Sequence, residues 1–120
     1  MPIWFQETSV DILNQRGENT MSEFLGIQFT EIGEDFLVAT MPVTSRTRQP
    51  IGILHGGANI VLAETIASTA ANAVVDLGKF YCVGLEINAN HLRSVKEGIV
   101  TAITTAIHIG RSTHVWQVNI

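Results

Sequence analysis

The sequence predicts an α+β domain in which an antiparallel sheet lies against one long helix. Three observations carry this. Ala58 to about Leu77 is a run rich in Ala and other small residues that stops before Gly78, as one uninterrupted helix would. Ile99, Thr101, Ile103, Thr105, Ile107 and Ile109 alternate with period two, as a strand with one covered face does. The remaining apolar runs are short and bounded by turn residues, so they read as further strands. Small side chains on the helix would let a sheet approach it closely.

Along the chain, Thr8 and Ser9 are N-cap candidates for a short helix through Asn14, with Gly17 as its stop. Thr20-Met21-Ser22-Glu23 has the spacing of a capping box opening another turn. Gly26 to Ile32 and Phe36 to Val43 read as strands joined by a hairpin-like turn at Gly33-Glu34-Asp35. Thr44 to Leu54 reads as a loop carrying two arginines and Gly52, stiffened by Pro42 and Pro50. After the long helix, Tyr81 to Arg93, Ile99 to Ile109 and Thr113 to Ile120 read as strands, with Lys96-Glu97-Gly98 and Gly110-Arg111-Ser112 as turns. Residues 1–120 form a single domain on this reading.

Composition narrows the function. Apolar residues make up 46%, which suffices for a core, although a chain of 120 residues buries limited area alone and oligomerisation would relieve that. A net charge of −4 argues against a nucleic-acid surface. Five of the seven cations are Arg, the type suited to bidentate phosphate contacts. Single Cys82 allows no internal disulfide and fits a reducing, cytoplasmic setting; in an apolar strand start it reads as a core residue. No run reaches the roughly 20 apolar residues of a membrane span. The four histidines are too scattered to suggest a metal site, and no cofactor is expected.

The most informative stretch is Gln49-Pro50-Ile51-Gly52-Ile53-Leu54-His55-Gly56-Gly57, with Glu64 nine residues after the histidine. His-Gly-Gly falls where the loop becomes a helix, and a helix start offers free N–H groups and the positive end of the dipole. An oxygen gaining negative charge could be held there. At 100° per residue, Thr65, Thr69, Asn72 and Asp76 share a polar stripe, while Glu64 and Ser68 lie off one side of it, flanking the apolar face. A carboxylate at that edge needs a partner or a task. Each of these residues also has a structural reading. Glu64 would be a boundary residue bonded to nearby backbone, His55 a cap on its own loop, and Gln49 a turn residue before Pro50. The glycines would serve tight geometry, and Ser68 packing.

The pattern Gln49-Pro50 … His55-Gly56-Gly57-Ala58 … Ala63-Glu64-Thr65 … Ser68 resembles the signature of hotdog-fold acyl-CoA thioesterases. It is most similar to the group of 1,4-dihydroxy-2-naphthoyl-CoA hydrolases and enterobactin-pathway proofreading thioesterases. The resemblance continues through Val83 to His91 and through Gly110-Arg111 … Val115-Trp116-Gln117, nearly the whole chain. It implies a sheet wrapped around the long helix. It implies that the Gly56 N–H polarises the thioester carbonyl, that Gln49 and His55 orient thioester or water, and that Glu64, from the opposite subunit, is nucleophile or general base. Ser68 would orient the carboxylate or the water. Contacts to CoA would come from Gly84, from His91, Leu92, Arg93 and Ser94, and from His108, Ile109, Gly110, Arg111, Ser112 and Thr113. Members carry one more strand after the equivalent of Trp116-Gln117, so this chain is either a truncated form or one strand short.

His91 and Arg93 fall on one strand face with Leu85, Ile87 and Ala89, and Arg111 sits in a glycine-containing turn; either could meet phosphate or be a solvated arginine. Asn88 and Asn90 read as sheet or dimer-interface hydrogen bonders, and His114 as structural or exposed. The leading expectation is hydrolysis of an aromatic or related acyl-CoA by a homodimer or homotetramer. A second is proofreading of acyl groups on a carrier protein. A third, of another class, is a non-catalytic acyl-CoA-binding module, against which Gln49, His55 and Glu64 together argue. Hotdog dehydratases use a different histidine-containing arrangement.

Overall fold

Side-chain caps set the helix starts. In the computed structural model, which describes residues 1–120, α1 (Val10–Arg16) begins at Ser9, whose hydroxyl accepts the Ile12 N–H, and ends at Gly17. Helix α2 (Met21–Leu25) begins at Thr20, whose hydroxyl accepts the Ser22 N–H at 3.2 Å. The expected reciprocal box with Glu23 is not made, because the Thr20 N–H already donates to the Gly17 carbonyl. Gly26 ends α2 with φ 79° and lies hard against Pro42, so β1 starts two residues later than expected.

Strands β1 (Gln28–Ile32) and β2 (Phe36–Pro42) pair antiparallel through the expected turn, closed by Gly33 N–H to Phe36 O. Helix α3 (Gly56–Val74) follows, then β3 (Ile99–Ile109) and β4 (His114–Asn119). The sheet order is β1-β2-β3-β4, antiparallel throughout, with α3 packed across β2, β3 and β4. Leu37, Ala39 and Met41 of β2 and Val100 and Ala102 of β3 meet Leu62, Ile66 and Ala70 of α3, spaced by four along one helix face. The β3 alternation is present, but its Ile and Thr members point outward: Ile99 is 66% exposed and Ile107 63%. Its smaller residues, Val100, Ala102 and Thr104, make the covered face. No helix is long and apolar enough to cross a membrane.

The expected strand from Tyr81 to Arg93 is not formed. Residues 83–94 make no backbone–backbone hydrogen bond, and all of them are exposed. A strand exists only by its ladder, and no strand of this chain lies alongside the segment. Its ends are tied down instead. Asn72 accepts the Cys82 N–H at 2.7 Å and donates to the Cys82 carbonyl at 3.1 Å. At the other end, the Leu54 N–H bonds the Val95 carbonyl, and the Arg48 guanidinium bonds the Lys96 carbonyl.

Candidate active site

Helix α3 begins two residues earlier than expected because His55 caps it. The imidazole Nδ1 accepts the Gly57 N–H at 2.8 Å, and the His55 carbonyl takes Ala58 N–H. The Gly56 N–H, between them, donates to nothing within the protein. The loop that delivers these residues is tied by Thr47, which is buried. Its hydroxyl donates to Pro42 O and accepts Thr44 N–H, and its carbonyl takes His55 N–H. Sequence reasoning missed Thr47; the signal was a hydroxyl residue within a turn.

Gln49 sits in a tight turn. Its N–H bonds Ile53 O, and its side-chain Oε1 accepts Ile51 N–H at 2.6 Å. Gly52, at φ 87°, makes the reversal possible. The structural reading of Gln49 is therefore correct as far as it goes, and its amide nitrogen stays free. Gln49 and Gly56 line a cavity of about 360 Å³ with Asn59, His91, Leu92, Arg93 and Ser94. His91 lies over Gly56: a Cβ there would come within 3.1 Å of the imidazole Nε2.

The other expected site residues are elsewhere. Glu64 is half-buried, makes no hydrogen bond or ion pair, and lies against Gly84 so closely that a Cβ there would collide with its Oε1. Gly84 thus gives room to the carboxylate. Glu64 is eight residues beyond Gly56, roughly 12 Å along the axis and about 80° round it. Ser68 lines a second cavity, about 680 Å³, with Thr65, Thr69 and Asn72 of α3 and with residues of α1, α2 and β1. His108 to Thr113 span the end of β3 and the β3–β4 turn and do not border the Gly56 cavity. There the Gly110 N–H is already bonded to Thr113 O. Arg111 is exposed.

Two further groups are structural. His114 accepts the Trp116 indole N–H at 3.3 Å, and burial, then nearby His108, lower its pKa. The Cys82 thiol points at Ala71 O, and burial raises its pKa, which suits a packed thiol rather than a nucleophile. Asn88 bonds Glu86 within its own segment instead of a neighbouring strand.

Known proteins place this arrangement. The thioesterase superfamily profile matches residues 51–120. The chain is 50% identical over 118 residues to the 1,4-dihydroxy-2-naphthoyl-CoA hydrolase of Escherichia coli K12, covering 98% of this chain and 86% of that one. The chain belongs to the thioesterase superfamily. It is also 42% identical over 116 residues to the proofreading thioesterase EntH of Cronobacter turicensis, covering 97% and 84%. A solved structure of a mutant thioesterase from Pseudomonas aeruginosa superposes with a TM-score of 0.95 at 49% identity, covering 97% of this chain and 84% of that one. The fold is the thioesterase hotdog, and the chain is an enzyme of the class that hydrolyses thioester bonds.

Proposed function

We propose that the protein hydrolyses aromatic or related acyl-CoA thioesters at a site completed by two copies of the chain. The observation that carries this is the free Gly56 N–H at a capped helix start, facing a cavity shared with Gln49 and the His91–Ser94 segment. A thioester carbonyl placed there gains an oxyanion donor held in advance by the fold, worth a few kcal/mol. The free Gln49 amide N–H can orient the carbonyl or the attacking water.

Hydrolysis also needs a base or nucleophile. Glu64 is the only acidic residue between Asp35 and Asp76. Its own Gly56 is roughly 12 Å away along α3, too far to serve the same carbonyl. A second copy brings its Glu64 to the first copy's Gly56 if the two helices run side by side. Glu64 then either takes a proton from water, which attacks the carbonyl carbon as the C–S bond breaks and the thiolate is protonated, or itself attacks the carbonyl carbon, breaking the C–S bond and expelling the thiolate, to form an anhydride that water opens. His108 to Thr113, remote from the cavity in one chain, would meet the CoA phosphates across the same interface.

Release of free thiol, screened over aryl, medium-chain and short-chain acyl-CoAs, tests this reading. Fastest turnover on aryl thioesters supports it. The same acyl groups on a carrier protein, if hydrolysed faster than on CoA, would assign the protein to proofreading instead.

A further inference from the structure

Asn59, one turn into α3, has a side-chain oxygen that is shut off from solvent and meets no donor. Burying an unpaired carbonyl is destabilising, and Asn forms helix less well than Ala. Asn59 therefore works against the fold on two counts, between Ala58 and Ile60, which do not. Asn59 is among the residues that line the cavity with Gln49, Gly56, His91 and Arg93. The sealed oxygen does not itself face the cavity, but turning the carboxamide over would bring it there, where a donor on a group entering the cavity could satisfy it.

The chemistry of the carboxamide narrows what that is. Its terminal torsion is soft, so a half-turn offers the cavity either an N–H or a C=O. The group that complements both is another amide. A CoA thioester carries one on its thiol side, two methylene groups from sulfur and roughly 4 Å from it at bond lengths near 1.5 Å. On α3, Gly56 and Asn59 are three residues apart, roughly 5–6 Å between neighbouring positions on the surface. Resting on the thioesterase reading above, we propose that Asn59 binds the secondary amide nearest the thioester sulfur, which fixes the thiol half of the substrate with its carbonyl at Gly56 N–H.

Three thioesters of one acyl group, benzoyl or hexanoyl according to which turns over faster, test this: the CoA ester, the N-acetylcysteamine ester and the S-propyl ester. The second keeps only the first amide, and the third has none. Wild-type enzyme should favour the N-acetylcysteamine ester over the propyl ester by about tenfold in kcat/KM. In Asn59→Ala that preference should nearly vanish, with the propyl ester changed less than about twofold and the melting temperature equal or higher. Asn59→Ser supplies a second folded variant with a side chain too short for the contact. An unchanged preference in either variant, or an equal loss on all three esters, overturns the assignment. Wild-type enzyme that hydrolyses none of the three overturns the thioesterase reading, and this assignment with it.

Discussion

The His55 imidazole accepts the Gly57 N–H at 2.8 Å and so leaves the Gly56 N–H as the unclaimed donor at the start of α3. One side chain thus sets both the helix boundary and the direction of the donor. His55→Ala should lose about 1 kcal/mol of stability from the missing cap, and turnover should fall. His55→Asn restores a good cap without an imidazole. Urea denaturation and turnover on both variants separate the roles: if Asn restores stability and activity together, the imidazole serves only as a cap.

Glu64→Gln should lower turnover at least about a hundredfold, the scale of a lost acid–base group. Melting temperature should stay near wild type, since Glu64 has no hydrogen bond or ion pair to lose. Near-normal turnover in folded protein would end the proposed mechanism.

Mixing inactive His55→Ala and inactive Glu64→Ala chains tests the shared site. If subunits exchange, some mixed dimers carry one intact site, and part of the activity should return. Light scattering on the wild type should give at least a dimer, and an active monomer would exclude a site built from two copies.

Arg111→Ala should raise KM more than it lowers kcat, because a phosphate contact remote from the carbonyl contributes mostly uniform binding. The deficit should shrink as salt rises, since Arg111 is exposed and its charge is screened. An unchanged KM on CoA esters removes Arg111 from the binding site.

Cys82 should react slowly with thiol reagents at pH 8 in the folded protein and quickly in urea, since burial raises its folded pKa above that of an ordinary thiol. The sign for stability follows. Below the unfolded pKa both states hold the proton and the full contribution is present. As pH rises through the folded pKa that contribution is lost. Stability should therefore decline at alkaline pH in the wild type more than in Cys82→Ala, measured by thermal melts across that range.

What was legible in the sequence was local. Ser9 and Thr20 cap helices by bonds to residues two or three positions away, so spacing reveals them, whereas His55 read as a cap on its own loop and proved to cap α3. The β3 alternation is a property of one strand. The segment from Tyr81 to Arg93 has the composition of a strand, but pairing depends on a neighbour that spacing cannot supply. Asn72 read as part of a polar stripe, yet it holds Cys82 ten residues on. Asn14 likewise clamps the backbone of Phe29 with a bond to its N–H and another from its own amide to the carbonyl. Of the expected site, Gln49, Gly56 and His91 to Ser94 converge because one loop and one segment meet there. Glu64, Ser68 and the β3–β4 turn do not, because helix length and turn position keep them apart within one chain.

Gly84 and Glu64 are twenty residues apart in sequence and share one volume. Gly84 is not held in the left-handed region, so its missing side chain reflects space rather than backbone freedom. The two positions should therefore not vary independently over evolution. Gly84→Ala in the wild type should displace the carboxylate and imitate a Glu64 lesion, while the same change beside Glu64→Ala should add almost nothing. Descendants that abandon the acid would be released to fill position 84, and a side chain there would record in the sequence that the chemistry had been lost.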